Sequence, residues 1–518
     1  MKTVNRLLIA ALVLLPGLGL AAEKSDLIMF GGDASRNFVS DEKGLPEKWD
    51  LKSGKNIKWV AELGTQTYAG PIYYDGKIFV GTNNEANKNP ELEGDRGNIM
   101  AFDAETGEFL WQSAHPKLGA GRVNDWPLQG ICSTPAIEDG VVYYVSNRAE
   151  IIAADVDGFH DGENDGPYTK EGEMGMIPKK GEDGETTMVR GFIPKQGKID
   201  EDIIWSYDMI GELDVFPHNL AAGSPLIVGD LLFAITGQGV DEGHINVPTP
   251  LAPSFVVVNK KTGELVWENA DPGDKVLHGS WSNPSYGVFG GKAQVLFPGG
   301  DGWLYSFEPE TGELIWKFDL NPKDSVWELG GRGTRNNVIS MAVVVDGRAY
   351  IGVGQDPEHG EGDGNLYAIE PGDKTGDITD SAAVWHVDGD DFHRTMSTAA
   401  IHEGVMYIAD LSGFVYALDV KTGERLWKYD TFAAIWGSTF VADGKVYIGD
   451  EDGDIAVLKA GRDGGEDGEG ILLHETNMGT AVYTTPIAKD GVIYVASRTK
   501  LFAIENGATW KPKGKEGS

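Results

Sequence analysis

Short apolar, aromatic-rich runs alternate with turn signals along most of this chain. Eight two-residue turns open such runs: Asp75-Gly76, Asp139-Gly140, Gly229-Asp230, Gly290-Gly291, Asp346-Gly347, Glu403-Gly404, Asp443-Gly444 and Asp490-Gly491. Glycine-containing pairs of this kind are the usual hairpin connectors, because both central residues need positive φ. The runs that follow, such as Lys77-Ile78-Phe79-Val80 and Val492-Ile493-Tyr494-Val495, read as strands. A second hairpin recurs further along each unit: an apolar run, a Thr-Gly-Glu turn and a strand closing on Trp. It stands at Thr106 to Trp111, Thr262 to Trp267, Thr311 to Trp316 and Thr422 to Trp427. Two hairpins per unit give four antiparallel strands, and eight repeats of such a unit predict an all-β, eight-bladed β-propeller.

The closing tryptophans fix the order of units. Trp111, Trp205, Trp267, Trp316, Trp385 and Trp427 end six of them. Trp59 has no three strands before it, and the last unit, through Leu501-Phe502-Ala503-Ile504, has no fourth strand after it. The N-terminal segment is therefore expected to complete the final blade and close the ring, which removes exposed sheet edges. The seventh unit lacks Trp, and Leu472 or Leu473 is expected in its place. The expected organisation is a signal peptide at 1–21, a lead-in at 22–50 and the propeller at 51–518, with an insertion loop at 158–200.

The repeats carry a resemblance. Ala101 to Trp111 and Ala417 to Trp427 resemble the tryptophan-docking motif of the pyrroloquinoline-quinone-like propeller family. Phe30-Gly31-Gly32-Asp33 with Arg36 resembles the lead-in of some members. The family includes quinoprotein dehydrogenases and the outer-membrane assembly propeller BamB, and the motif speaks for the fold rather than for quinone binding.

Charge and cysteine content narrow the function. A formal charge of −36 repels phosphate backbones and anionic lipid, so nucleic acid is not an expected partner. Lys2 and Arg6 precede an apolar run from Leu7 to Leu20, and Gly19 and Ala21 supply small residues before a cut; this reads as a cleaved secretory signal. The run is too short for a comfortable membrane span and no Cys follows it, so a periplasmic or secreted protein without a lipid anchor or a transmembrane segment is expected. Cys132 is the only cysteine, which excludes an intramolecular disulfide and Cys-x-x-Cys-His haem attachment.

Loop lengths predict the working face. The first and third turns of each unit are short; the connections on the other face are long and rich in chemistry, where binding residues concentrate. They carry Arg122, Asn124, Asp125 and Trp126; His218 and Asn219; His278 and Trp281; Arg332, Arg335 and Asn336; Gln355, Asp356 and His359; His393 and Arg394; and Trp436. Arginine, histidine, acid, amide and indole at one mouth suit a polar or anionic small ligand. The same residue types also satisfy buried backbone groups in such loops. Gly158 to Asp200 is poor in core formers and is expected as a mobile excursion on the opposite face. Within it, Asp161 to Gly166 only faintly resembles a calcium loop, because Gly172 stands where the bidentate Glu belongs, and a solvated acidic loop is expected.

Two functions follow. The first is a non-catalytic scaffold for a small ligand or protein partner. The second, implied by the resemblance, is an oxidoreductase using pyrroloquinoline quinone and calcium on an alcohol or sugar. There Asp125 or Asp356 would be the base, Asn124 or Asn336 a calcium ligand, and Trp281 or Trp436 the stacking floor. The family's alcohol-oxidising branch carries an adjacent cysteine pair that this chain cannot form. A hydrolase or lyase on the same ring is a third option; no Gly-x-Ser-x-Gly or His-Glu-x-x-His motif supports it.

Overall fold

The computed structural model describes residues 28–511 except 87, 90–91, 182–183, 360–362, 466–467 and 469. The expected signal peptide lies outside the described residues. The chain is all-β, and eight of its sheets, numbered here in chain order, have four or five strands. Sheet 1 runs Ile72–Tyr74, Lys77–Asn83, Arg96–Asp103, Phe109–Gln112. Sheet 2 is Ala136–Glu138, Val141–Val145, Glu150–Asp155, Ile203–Asp208. Sheet 3 is Leu226–Val228, Leu231–Ile235, Phe255–Asn259, Leu265–Asn269, and sheet 4 begins Ser285–Phe289, Lys292–Pro298, Trp303–Phe307, Leu314–Asp319. Sheet 5 is Val343–Val345, Arg348–Val353, Asp363–Ile369, Ala383–His393; sheet 6 is Ala400–His402, Val405–Ala409, Phe414–Asp419, Arg425–Asp430. Sheet 7 contains Phe440–Ala442, Lys445–Gly449, Asp454–Lys459, Leu472–Asn477. Sheet 8 is Ile487–Lys489, Val492–Ala496, Lys500–Thr509 and, from the other end of the chain, Lys55–Glu62, with Trp59 opposite Ala503.

The turn chemistry explains the repeat. In seven of the eight first turns both central residues have positive φ, for example Asp75 at 43° and Gly76 at 75°. In the second hairpin, Asp103 accepts from the backbone N–H of Glu105 and Thr106, while the Gly107 N–H closes the turn on the Asp103 carbonyl. Asn259, Glu308 and Asp419 do the same in sheets 3, 4 and 6.

The tryptophans join sheets rather than merely ending them. The Trp59 indole N–H donates to the Ala104 carbonyl (3.0 Å), Trp205 to Lys260 (3.0 Å), Trp267 to Pro309 (2.8 Å) and Trp385 to Val420 (3.0 Å), each across to the next sheet. The ring then covers the turn glycine. A Cβ on Gly107, Gly263, Gly312 or Gly423 would come within 2.5–2.8 Å of that indole. Trp316 differs, donating to the Gln294 side chain of its own sheet (2.7 Å). Sheet 7 corrects one expectation: its register sets His474, not Leu472 or Leu473, opposite Val457, the place Trp takes elsewhere. Trp49 from the lead-in packs edge-on against that imidazole.

Buried apolar clusters bridge neighbouring sheets: 1 with 2, 2 with 3 and 4, 4 with 5, 5 with 6, 6 with 7, 7 with 8, and 8 with 1. The lead-in threads along the first strands. Carbonyls of Ile28, Ala34, Ser35 and Phe38 accept from Ile137, Tyr286, Val344 and Val441, in sheets 2, 4, 5 and 7. The fully buried Arg36 donates to the carbonyls of Phe30 (2.6 Å), Pro284 (2.8 Å), Pro225 (3.1 Å) and Ser224 (3.2 Å). Val39–Ser40 then adds a parallel strand to sheet 7. Residues 158–200 do lie between the third and fourth strands of sheet 2, but they form a hairpin, Gly172–Lys180 with Thr186–Pro194. One of its faces exposes Met174, Met176, Met188 and Phe192. Among the described residues no helix is long and apolar enough to cross a membrane.

Candidate functional site: an axial cavity with a histidine wall

The connections that enter the first strands converge on one cavity of about 430 Å³. Tyr68 comes from the approach to sheet 1, Trp126 and Thr134 from that to sheet 2, and Asn219 and Ser224 from that to sheet 3. Trp281, Met341, Met396, Trp436 and Tyr483 supply the corresponding positions before sheets 4 to 8. Phe30 of the lead-in also lines it. A cavity fed by every sheet lies where their first strands come together. Tyr68 and Tyr483 stack at 5.0 Å, and Trp436 packs against both. The Trp436 indole N–H is buried without a hydrogen-bond partner. None of the lining residues is Lys or Arg.

One wall is polar. His218 precedes sheet 3, His244 lies between the second and third strands of sheet 3, and His278 precedes sheet 4. Backbone bonds hold these loops together: His218 N–H to Gly237, Gly239 N–H to Phe216 and Val240 N–H to His278. The three Nε2 atoms meet, His218 to His278 at 2.8 Å and His244 to each at 3.2 Å. His218 Nδ1 faces the Val240 carbonyl (2.7 Å), and His278 Nδ1 faces Asp356 (3.1 Å). Asp356 also holds His359 Nδ1 at 2.9 Å. Burial pushes His218 down to about 3, and burial with the facing His278 and His359 lowers His244. Burial would raise Asp356, but hydrogen bonds from His278 and His359 override it and hold the carboxylate well below its usual range. The same bond raises His359.

The remaining candidates from the sequence divide plainly. Trp126, Asn219, His278, Trp281, Asp356 and Trp436 line the cavity, and His218 and His359 stand behind it. Asp125 is engaged by Lys117 (2.6 Å) and Asn147 (2.7 Å), and Asn124 donates to the Pro217 carbonyl. Arg335 is bound to Asp319 and the Asp301 carbonyl; Asn336 is tied to Asn321 and the Asp363 carbonyl. Arg122 pairs with Glu242 at the surface, Gln355 donates to Gly333, and His393 pairs with Asp410. Arg332 reaches the His244 carbonyl, and Arg394 ties the carbonyls of Asp356 and His359 together. The arginines therefore brace loops instead of facing a ligand.

Sequence reasoning missed His244, Tyr68 and Tyr483. His244 sits at φ 53° in Asp241-Glu242-Gly243-His244, a turn whose composition was the available signal. On the opposite side of sheet 2, Asp161 and Asp165 meet Asp155, with carboxylate oxygens within 4.8 Å of one another. Burial, then the neighbouring carboxylates, raise Asp155 to about 6.

A quinone cofactor with calcium needs hard oxygen donors. The residues at this wall offer imidazole nitrogens, Asp356 is taken by two histidines, and Asn124 and Asn336, whose amide nitrogens donate to the Pro217 and Asp363 carbonyls, do not line the cavity. The donor set does not fit calcium.

Comparisons with known proteins agree on the scaffold. The chain is 24% identical over 429 residues to polyvinylalcohol dehydrogenase of a Pseudomonas species, covering 77% of this chain and 52% of that one. It thus spans about half the length of that curated relative. A segment of 88 residues, 15% of this chain and 13% of the other, is 31% identical to 1-butanol dehydrogenase (cytochrome c) of Thauera butanivorans. Among solved structures it resembles BamB from Moraxella catarrhalis (TM-score 0.52, 13% identity, 88% of this chain and 98% of that one). It also resembles a europium-containing methanol dehydrogenase (TM-score 0.54, 13% identity, 92% and 89%). The family profile described as outer membrane protein assembly factor BamB matches residues 218–358 and 362–511. With more than half of its length so matched, the chain belongs to the pyrroloquinoline-quinone-like β-propeller family.

Proposed function

We propose that this chain is an exported, closed eight-bladed propeller that binds a small, uncharged, ring-bearing ligand in its axial cavity. Closure is supported by Trp59 pairing in sheet 8 while docking on sheet 1. The observation that carries the ligand reading is the cavity wall: six aromatic residues, Phe30, Tyr68, Trp126, Trp281, Trp436 and Tyr483, and no Lys or Arg. Aromatic faces stack on flat or ring-shaped apolar surfaces, and Asn219, Asn283 and the free Trp436 N–H offer polar orientation. Asp356 and Glu358 at the same wall disfavour an anion, which leaves the polar half of the polar or anionic expectation.

A dehydrogenase using pyrroloquinoline quinone is the second reading, favoured by the likeness to polyvinylalcohol dehydrogenase and by the paired indoles. Pyrroloquinoline quinone is a tricarboxylate, and among the described residues none that lines the cavity is Lys or Arg. Tryptophan fluorescence separates the two. A neutral disaccharide series and pyrroloquinoline quinone with calcium are titrated into the protein and into Trp281→Ala and Trp436→Ala. Saturable quenching by a neutral ring compound, lost in either variant, is expected. Micromolar binding of the quinone with dye reduction by an alcohol would overturn the proposal.

A further inference from the structure

We propose that His218, His244 and His278 form a transition-metal centre, open on one side to the axial cavity. The inference stands on the geometry of the three imidazoles and does not depend on which ligand the cavity takes.

Proton bookkeeping is the first support. A neutral imidazole has one N–H and one lone pair. His218 Nδ1 lies 2.7 Å from a carbonyl oxygen, which only accepts, so Nδ1 carries the proton and Nε2 is bare. His278 Nδ1 lies 3.1 Å from the Asp356 carboxylate, so its Nε2 is bare too. Two bare nitrogens then face each other at 2.8 Å, on residues only 1% exposed. With both rings neutral such an approach repels unless a metal ion or a shared proton sits between the lone pairs. An N–H from His244, 3.2 Å from both, leaves the close pair itself unrelieved.

Distance is the second support. Nitrogens bound to one ion at about 2.0–2.1 Å lie roughly 2.8–3.4 Å apart, for angles between a right angle and the tetrahedral value. The observed separations are 2.8, 3.2 and 3.2 Å.

The surroundings are the third. Metal-bound histidines characteristically donate their other N–H to a carbonyl or carboxylate, which fixes the tautomer and raises ligand basicity. Val240 and Asp356 fill those roles, and His359 anchors Asp356 from its far side. Three imidazoles from three loops, cross-linked by backbone bonds, make a preformed tripod. An oxygen close to the fourth position is Glu358 Oε2, 3.8 Å from His278 Nε2, on a residue that lines the cavity. Three nitrogen donors and an open position select zinc or copper over calcium or magnesium, and match the arrangement of catalytic rather than structural sites.

The test uses tag-free protein stripped with a chelator and dialysed. Zinc and calcium are titrated by calorimetry, and cobalt(II) is added to read the visible spectrum of its ligand field. About one equivalent of zinc, sub-micromolar affinity, no calcium competition and a cobalt spectrum typical of nitrogen ligation are expected. His244→Ala, on the most exposed of the three, is expected to weaken zinc at least ~100-fold, and Asp356→Asn roughly 10- to 100-fold. His393→Ala, away from the tripod, is expected to leave it unchanged. Circular dichroism of each stripped variant checks folding; if His244→Ala is unfolded, His244→Gln takes its place. Zinc bound at less than about one-fifth equivalent at micromolar concentration, or bound equally well by the folded His244 variant, would overturn the proposal. The second outcome would place the ion elsewhere, and the first would leave a shared proton between the rings. Neither bears on the disaccharide titration, which is run on stripped protein.

Discussion

Replacing Gly107 with Ala tests the joint between the two ends of the chain. Gly107 has φ 72°, and an added Cβ would lie 2.5 Å from Trp59 Cδ2 and 2.7 Å from Cε3. Carbon atoms normally rest about 3.5–4.0 Å apart, so the indole must retreat by about 1 Å. Backbone strain contributes roughly 1–2 kcal/mol. Overpacking of the buried ring adds roughly 1–3 kcal/mol, and loss of the 3.0 Å bond from the indole to Ala104 about 1 kcal/mol more. The total is about 3–6 kcal/mol. Gly76→Ala is the matched control: its φ is 75°, and nothing lies within 4 Å of the added Cβ, so only the strain of roughly 1–2 kcal/mol applies. Equilibrium urea unfolding followed by circular dichroism reads both. In a Trp59→Ala background the ring is gone, and Gly107→Ala is expected to cost no more than Gly76→Ala. Equal costs for Gly107→Ala and Gly76→Ala in the otherwise unaltered protein would refute the reasoning, because the docking contact would then carry no energy.

Two further substitutions probe the buried polar groups. Arg36→Leu strips donors from four buried carbonyls and is expected to destabilise by about 3 kcal/mol in the same assay; a change below about 1 kcal/mol would show that the lead-in does not staple sheets 3 and 4. Glu201, buried beside Tyr144 and His115, is raised by burial from 4.5 to about 8. The folded state therefore keeps a proton that the unfolded chain releases, so its contribution is full below pH 4.5 and is lost as pH rises to about 8. Glu201→Gln is expected to flatten stability against pH across that window, and an unchanged slope would contradict the burial assignment.

The fold was legible because its repeat is local. A positive-φ pair and an Asp or Asn accepting from its own turn are written within a few residues, and the docking Trp follows at fixed spacing. The seventh sheet misled because its register, not its composition, puts His474 in the docking position, with Trp49 from far away filling the space. The 158–200 insertion misled because its strands bury little and pair mainly with each other. At the mouth, residue types were legible in the sequence but their partners were not. Arg335 and Asp125 are neutralised by Asp319 and Lys117, pairings visible only once the loops are placed. His218 and His278 stood out in long loops, whereas His244 needed two loops folded over it to matter.

The histidine tripod is the point at which this scaffold turns into chemistry. The most direct measurement is an anomalous difference map at the zinc edge from crystals of the zinc-loaded protein. One peak about 2.0–2.1 Å from the Nε2 atoms of His218, His244 and His278 is expected. A map without density there, or with its main peak among Asp155, Asp161 and Asp165, would contradict the account.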